Sequence, residues 1–221
     1  MNTQVSEVCS LSSELPTDPQ QAPAWLVSAL QVPREEGWID SGGCNVHYFR
    51  WGNPENPPLL LMHGFLAHAR CFAFIAPFLA EHYHVVAYDL SGMGDSEARE
   101  CYPDKVRAQE VVDVVRGTGL FEHDAKPIVI AHSYGGHVGL SAMERHDELF
   151  DGLIICDLMV LRVERLKAHF SNGKPMRSDR SRPNRVYPDY ASARARFVLS
   201  PPQPVTVEYL NEYMAYHSLK Q

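Results

Sequence analysis

The residues best placed to do chemistry lie in the run 128–136, Ile-Val-Ile-Ala-His-Ser-Tyr-Gly-Gly. A short apolar stretch leads directly into His132-Ser133-Tyr134-Gly135-Gly136, and residues of helical period follow. A serine on a sharp strand-to-helix turn holds its Oγ out above the edge of a sheet, which is the nucleophile-elbow arrangement. Such a hydroxyl becomes a nucleophile once a base takes its proton. Backbones crowd at this turn, so the residues two before and two after the serine must be small. Ala131 and Gly135 meet that need, with alanine in place of the first glycine of G-x-S-x-G. The plain alternative is an ordinary strand-to-helix turn whose serine caps the helix. The apolar run before and the helical period after favour the nucleophile.

A second run, Leu59-Leu-Leu-Met-His63-Gly64-Phe65, suits the other half of the same chemistry. Attack of a serine on an acyl carbon creates an oxyanion, which two backbone N–H groups can stabilise. One comes from the residue after the nucleophile, here Tyr134, and the other from the loop after an earlier strand, here Phe65. Gly64 lets that loop approach closely. His63 reads as a structural residue of the loop rather than a proton shuttle, and His132 and Gly135 support the elbow. A third run, Tyr88-Asp-Leu-Ser-Gly-Met-Gly-Asp-Ser96, is glycine-rich. It lacks the third glycine and the Lys-Ser/Thr of a phosphate loop, so it reads as a tight strand-to-helix connection.

These positions need elements to hold them. Residues 38–51 read as two strands joined by the turn Gly42-Gly43. Four short, continuously apolar runs, 59–62, 85–88, 128–131 and 153–156, suit strands buried on both faces. Residues 71–80, 106–115 and 138–143 have helical spacing, although Pro77 interrupts the first. Strands alternating with amphipathic helices predict an α/β fold, a mostly parallel twisted sheet with helices on both faces. Chemistry in such sheets sits at the strand carboxyl ends. Residues 1–22, polar and rich in Ser, Gln and Pro, read as a disordered tail, and 23–157 as the core. After Asp157 the pattern dissolves: 158–169 and 207–219 look helical and 171–188 irregular, so 158–221 reads as a cap or lid.

Composition bounds the partners. With 45% hydrophobic and 21% charged residues the 221-residue chain is neither disordered throughout nor a disulfide scaffold. A net charge of −7 argues against nucleic-acid binding through the bulk surface. Residues 1–161 carry 9 basic and 22 acidic residues, while 162–196 carry 10 basic and 3 acidic. That basic stretch is either a solvated surface or an attractor for an anionic substrate. Cys9, Cys44, Cys71, Cys101 and Cys156 form no CxxC pair, so no zinc site is expected, and free thiols suit a reducing compartment. The N-terminus has no basic n-region and apolar h-region, and no run of 18 apolar residues suggests a membrane span. A cytoplasmic location and a small-molecule substrate, with neither cofactor nor membrane partner, are the expectations.

Taken together, HGF at 63–65, D-x-S-G-x-G-x-S at 89–96 and HSYGG at 132–136 resemble the α/β-hydrolase family, in its order and spacing from about Trp38 to Asp157. Residues 23–32 and the Arg/Pro-rich cap resemble its capped members. The resemblance implies a serine hydrolase of esters, of similar acyl compounds or of carbon–carbon bonds. It argues against the family's epoxide hydrolases and dehalogenases, to which it assigns an aspartate at the elbow.

The family's chain order is serine, then acid, then histidine. Asp157, closing the apolar run 153–156, is the best acid; its other reading is a strand-end carboxylate that caps local N–H groups. Downstream of Ser133 the chain has His137, His146, His169 and His217, none in strand-and-loop sequence of the required kind. The resemblance implies two further strands, so the core is expected to be incomplete at its C-terminal side and the chain to be cut within its cap. The run 153–156 would then be an exposed sheet edge, a site for self-association. The alternative is a non-catalytic binding or interaction protein on a shortened scaffold of the same kind.

Overall fold

The apolar runs do become strands, and the order in which they pair decides where chemistry can sit. The computed structural model describes residues 22–158, 185–199 and 203–219. In chain order the elements are α1 (Ala24–Leu30), β1 (Glu35–Asp40), β2 (Asn45–Trp51), β3 (Pro58–Met62), a 3-10 turn (Ala69–Phe72), α2 (Ala76–Leu79) and β4 (His84–Tyr88). There follow α3 (Asp104–Gly117), β5 (Ile128–His132), α4 (Tyr134–His146), a second 3-10 turn (Asp147–Leu149), β6 (Gly152–Cys156), α5 (Tyr190–Arg194) and α6 (Glu208–His217). The strands form one sheet in the order β1-β2-β4-β3-β5-β6. Pairings of β2 with β1 and β4 are antiparallel; those of β3 with β4 and β5, and of β5 with β6, are parallel.

The chain leaves β3 to build β4 on one side and then crosses to build β5 on the other. This reversal opens a crevice at the carboxyl ends of the central strands. Met62, Tyr88 and His132 therefore end side by side, and the residues after them face one another.

Period-two alternation divides the core. Leu59 and Leu61 of β3 join Phe49, Trp51, Val85 and Ala87 in one cluster, closed by Leu26 and Leu30 of α1 and Tyr213 of α6. Leu60 and Met62 join Val46, Val86 and Tyr88 in the other, closed by Val111 and Val115 of α3 and Val138 and Ala142 of α4. Helices thus cover both faces, as the continuous apolar runs predict. Each buried aliphatic side chain contributes about 1.5–3 kcal/mol, so β3, buried at all five positions, anchors the site from beneath.

The helical spacing of 71–80 is not realised as one helix. It divides into the 3-10 turn Ala69–Phe72 and α2, in whose first turn Pro77 sits. There the missing N–H has no intrahelical partner to lose, whereas inside a longer helix the ring would clash. Residues 159–184, part of the segment read as a cap, lie outside the described residues, as do residues 1–21 of the tail. Of the rest of that segment, α6 packs on the core: Tyr213 is fully buried and meets Phe74 edge to face at 6.2 Å. Among the described residues β6 has a neighbour on one side only, and Ile154 is 53% exposed. No helix among them is long and apolar enough to cross a membrane.

Candidate active site

Ser133 links β5 to α4 with φ 49° and ψ −114°. A non-glycine residue at positive φ is strained by about 1–3 kcal/mol and persists only where its surroundings over-determine it. Three described residues share this feature: Leu66, Ser133 and Asp157, each just beyond the carboxyl end of a parallel strand. The surroundings of Ser133 are tight. Its N–H donates to the Cys156 carbonyl at 2.9 Å, and its own carbonyl accepts from the Gly136 N–H at 2.9 Å. Its Oγ has no hydrogen-bond partner among the described residues.

The crowding expected at the elbow is present in backbone atoms. A Cβ on Gly135 would lie 2.7 Å from the His63 carbonyl oxygen and 2.9 Å from that of Met62. A Cβ on Gly64 would lie 2.8 Å from His132 Nδ1 and 3.4 Å from Ser133 Cβ. The end of β3 therefore presses on the first turn of α4, with the Gly64 loop directly against the elbow. Gly135→Ala is expected to lose about 2 kcal/mol, because backbone carbonyls cannot rotate away as a side chain can. Urea denaturation measures this, and an unchanged midpoint would contradict the close approach.

Phe65 and Tyr134 flank the serine, their rings edge to face at 5.7 Å, with Phe65 54% exposed. Neither backbone N–H donates a hydrogen bond among the described residues. Two free N–H groups beside a projecting hydroxyl can receive an oxyanion. His63 is fully buried beneath them. Its Nδ1 donates to the Gly64 carbonyl at 2.8 Å and its Nε2 accepts from the Leu90 N–H at 3.0 Å, which assigns the neutral tautomer. Burial lowers its pKa, against the opposing charge of Asp89. Both ring nitrogens are used within the loop.

Asp157 is exposed and directly follows Cys156, which pairs with His132. Its carboxylate makes no hydrogen bond or ion pair among the described residues, so the capping role finds no partner there. His132 is exposed beside Ser133. His137 is exposed on α4, and His146 lies at the end of that helix. The His217 ring rests against Tyr213 and Tyr216, with centroids at 4.4 and 5.1 Å. His169 lies outside the described residues. No histidine hydrogen-bonds to Ser133 Oγ among those described.

Sequence reasoning missed a buried polar cluster beside this loop. Asp89, 1% exposed, accepts from the Ala69 N–H at 2.6 Å through Oδ1. Through Oδ2 it accepts from the Asp95 N–H at 3.0 Å and from His47 Nδ1 at 2.7 Å. His47 Nε2 meets Glu36 Oε1 at 2.8 Å. His47, Asp89 and Asp95 bring ligand-type atoms within 4.8 Å of one another. The lone pairs a cation would need from Asp89 and His47 are engaged in these hydrogen bonds, so the trio reads as a proton-linked network. A second buried carboxylate, Glu110, accepts from the Ser91 N–H at 3.0 Å and from Arg107 at 3.1 Å and Arg99 at 3.0 Å, tying the glycine loop to α3. In the sequence Asp89 stood only as the first residue of the 89–96 run and Glu110 as one residue within the helical spacing of 106–115.

Residues 59–219 match the profile of the Alpha/beta hydrolase family. The chain is 32% identical over 115 residues to the uncharacterized hydrolase YugF of Bacillus subtilis, a match covering 51% of this chain and 41% of that protein. It is 30% identical over 137 residues to epoxide hydrolase 3 of Xenopus tropicalis, covering 61% of this chain and 36% of that protein. The chain thus corresponds to less than half the length of either relative. Among solved structures, a thioesterase domain from the curacin biosynthetic pathway superposes with a TM-score of 0.63 at 24% identity, covering 83% of this chain and 67% of that one, and shares the fold.

Proposed function

Because this chain belongs to the alpha/beta hydrolase family, we propose that it provides the nucleophile half of a serine hydrolase acting on an ester or similar acyl compound, with carbon–carbon bond substrates a related option. Ser133 Oγ attacks the acyl carbon as a base takes its proton. The N–H groups of Phe65 and Tyr134 receive the oxyanion. The base returns the proton to the leaving alcohol as the acyl–serine forms, and water then attacks that ester by the same route. Asp157 is assigned as the carboxylate that orients the base. The base itself is assigned to a histidine outside the described residues. Serine at the elbow favours acyl chemistry over epoxide opening. The free thiols Cys44, Cys71, Cys101 and Cys156 support a cytoplasmic site of action.

The observation that carries this reading is the strained Ser133 backbone together with its unpartnered Oγ. The second reading, a binding protein on the same scaffold, is favoured by the lack of a described histidine at that oxygen. Incubation with a fluorophosphonate and peptide mapping by mass spectrometry separates them. Hydrolase chemistry predicts one adduct, on the peptide containing Ser133. An unlabelled Ser133 at millimolar probe over hours would sink it and leave the binding protein.

A further inference from the structure

We propose that Asp89 and His47 are positioning residues for the oxyanion loop: the Asp89 carboxylate pins the segment that carries the Phe65 N–H, and His47, backed by Glu36, holds that carboxylate in place. The inference rests on reading Phe65 as an oxyanion donor.

The loop from Gly64 to Ala69 is fixed at both ends. At its start, His63 donates to the Gly64 carbonyl and accepts from the Leu90 N–H. At its end, the Ala69 N–H donates to Asp89 Oδ1 at 2.6 Å. Between them the chain folds back, with the Ala67 N–H on the Gly64 carbonyl at 3.2 Å and Leu66 at φ 59°. A loop this short cannot relax at one end without moving Phe65. Leu66, 77% exposed, makes no packing contribution that would hold its strained backbone. The hydrogen bonds at the loop ends must do so.

Asp89 is in turn fixed by groups from several elements. His47 of β2 donates from Nδ1 to Oδ2, and its Nε2 meets Glu36 of β1. Ser96 Oγ donates to the Asp89 carbonyl at 2.6 Å and accepts the His47 N–H at 2.8 Å. Arg70, the residue after Ala69, reaches Glu36 at 3.6 Å and Asp95 at 3.8 Å, so the end of the loop returns to the same cluster. Arg34 and Arg70 both lie over the Phe49 ring, at 5.0 and 4.7 Å, and bring the remaining charges near Glu36. His63, neutral, is 3.9 Å from Asp89 Oδ1.

Both His47 nitrogens face carboxylate oxygens, an arrangement that needs both ring protons. The imidazolium is therefore the counter-ion of a buried carboxylate, which without one would be costly to keep charged. Burial opposes the His47 charge, but the hydrogen bonds and charges of Asp89 and Glu36 outweigh it and raise its pKa to about 9. Burial also opposes the Asp89 charge, and the His47 contact outweighs it, holding the pKa at about 2. A raised histidine stabilises fully below the ordinary value of 6.5, and that contribution is lost as pH rises through about 9. The Asp89 contribution is lost only as pH falls toward about 2.

The test is a pH titration from 7 to 10.5 of the chain with 13C-labelled Ala and Leu methyls and His ring carbons. The expected result is that the Leu66 and Ala69 methyls move with the His47 ring, at one midpoint near 9, and that His47→Gln abolishes their movement. In that variant, fluorophosphonate labelling at pH 7.5 should slow about tenfold, less than the ~10²–10³ of a deleted oxyanion donor because Phe65 is displaced rather than removed. Methyls that stay still while the His47 ring titrates, or that titrate equally in His47→Gln, would overturn the proposal without any variant needing to be active. Failure of the native chain to label at all would instead strike the nucleophile reading, leaving the methyl titration to decide the loop's dependence on His47.

Discussion

Ser133→Gly is expected to make the protein more stable and wholly unreactive. At φ 49° and ψ −114° the serine occupies a backbone region that glycine enters freely. Removing the Cβ releases about 1–3 kcal/mol of strain, against which glycine gives the unfolded chain about 0.4–1 kcal/mol of extra freedom. A net gain of about 1 kcal/mol raises Tm by about 2–4 °C in a chain of this size. Fluorophosphonate labelling should fall to background at the same time. Ser133→Ala separates the two effects, since it removes the hydroxyl but keeps the Cβ: labelling is lost and Tm is unchanged within about a degree of the native protein. A Ser133→Gly variant that melts below the native protein would show that the elbow is not strained. Residual labelling in either variant would assign the reactive group elsewhere.

Asp89→Ala should carry the largest stability cost of any single change considered, about 3–5 kcal/mol, because it removes one partner of a buried charge pair and leaves the other. The His47 imidazolium loses its nearer carboxylate, and the Ala69 and Asp95 N–H groups lose their acceptor. The cavity would not fill by collapse, since Gly94 packs against the carboxylate: a Cβ there would lie 2.1 Å from Asp89 Cγ. Asp89→Asn keeps the volume and one acceptor and should cost less than half as much. The measurement is urea denaturation at pH 7, read as the shift in midpoint at constant slope. Equal losses for the two variants would show that the charge, which both remove, is what Asp89 supplies, and not the volume and acceptor that asparagine keeps.

Much of this site could be read from short stretches of chain. The elbow needs an apolar run, a serine with small residues two positions either side, and a helical period, all within residues 128–143. Gly135 and Gly64 were expected to permit close approach, and Gly135 does meet the backbone at the end of β3 while Gly64 meets the His132 and Ser133 side chains. The two faces of the core followed from the continuous apolar runs, because a strand covered on both sides has no polar face to alternate. The helix expected over 71–80 divided in two because helical spacing is also satisfied by two short turns, and Pro77 suits only the start of one.

The buried charges were illegible for a different reason. Glu36, His47, Asp89 and Asp95 come from β1, β2 and the loop after β4, and each alone looks like an ordinary surface residue. Only the antiparallel register of β1 with β2 and of β2 with β4, pairing Tyr48 with Tyr88, brings His47 beside Asp89. The sequence by itself determined the family and the alternation of strands and helices, and it picked out Ser133, Phe65 and Tyr134 for the proposed chemistry, because periodicity and turn chemistry act over about ten neighbouring residues. The tertiary structure alone decided that Asp89 accepts from the Ala69 N–H at the end of the 64–69 loop and that His47 lies between two carboxylates. Those depend on which distant groups share a space without water, and strand register, not local spacing, sets that.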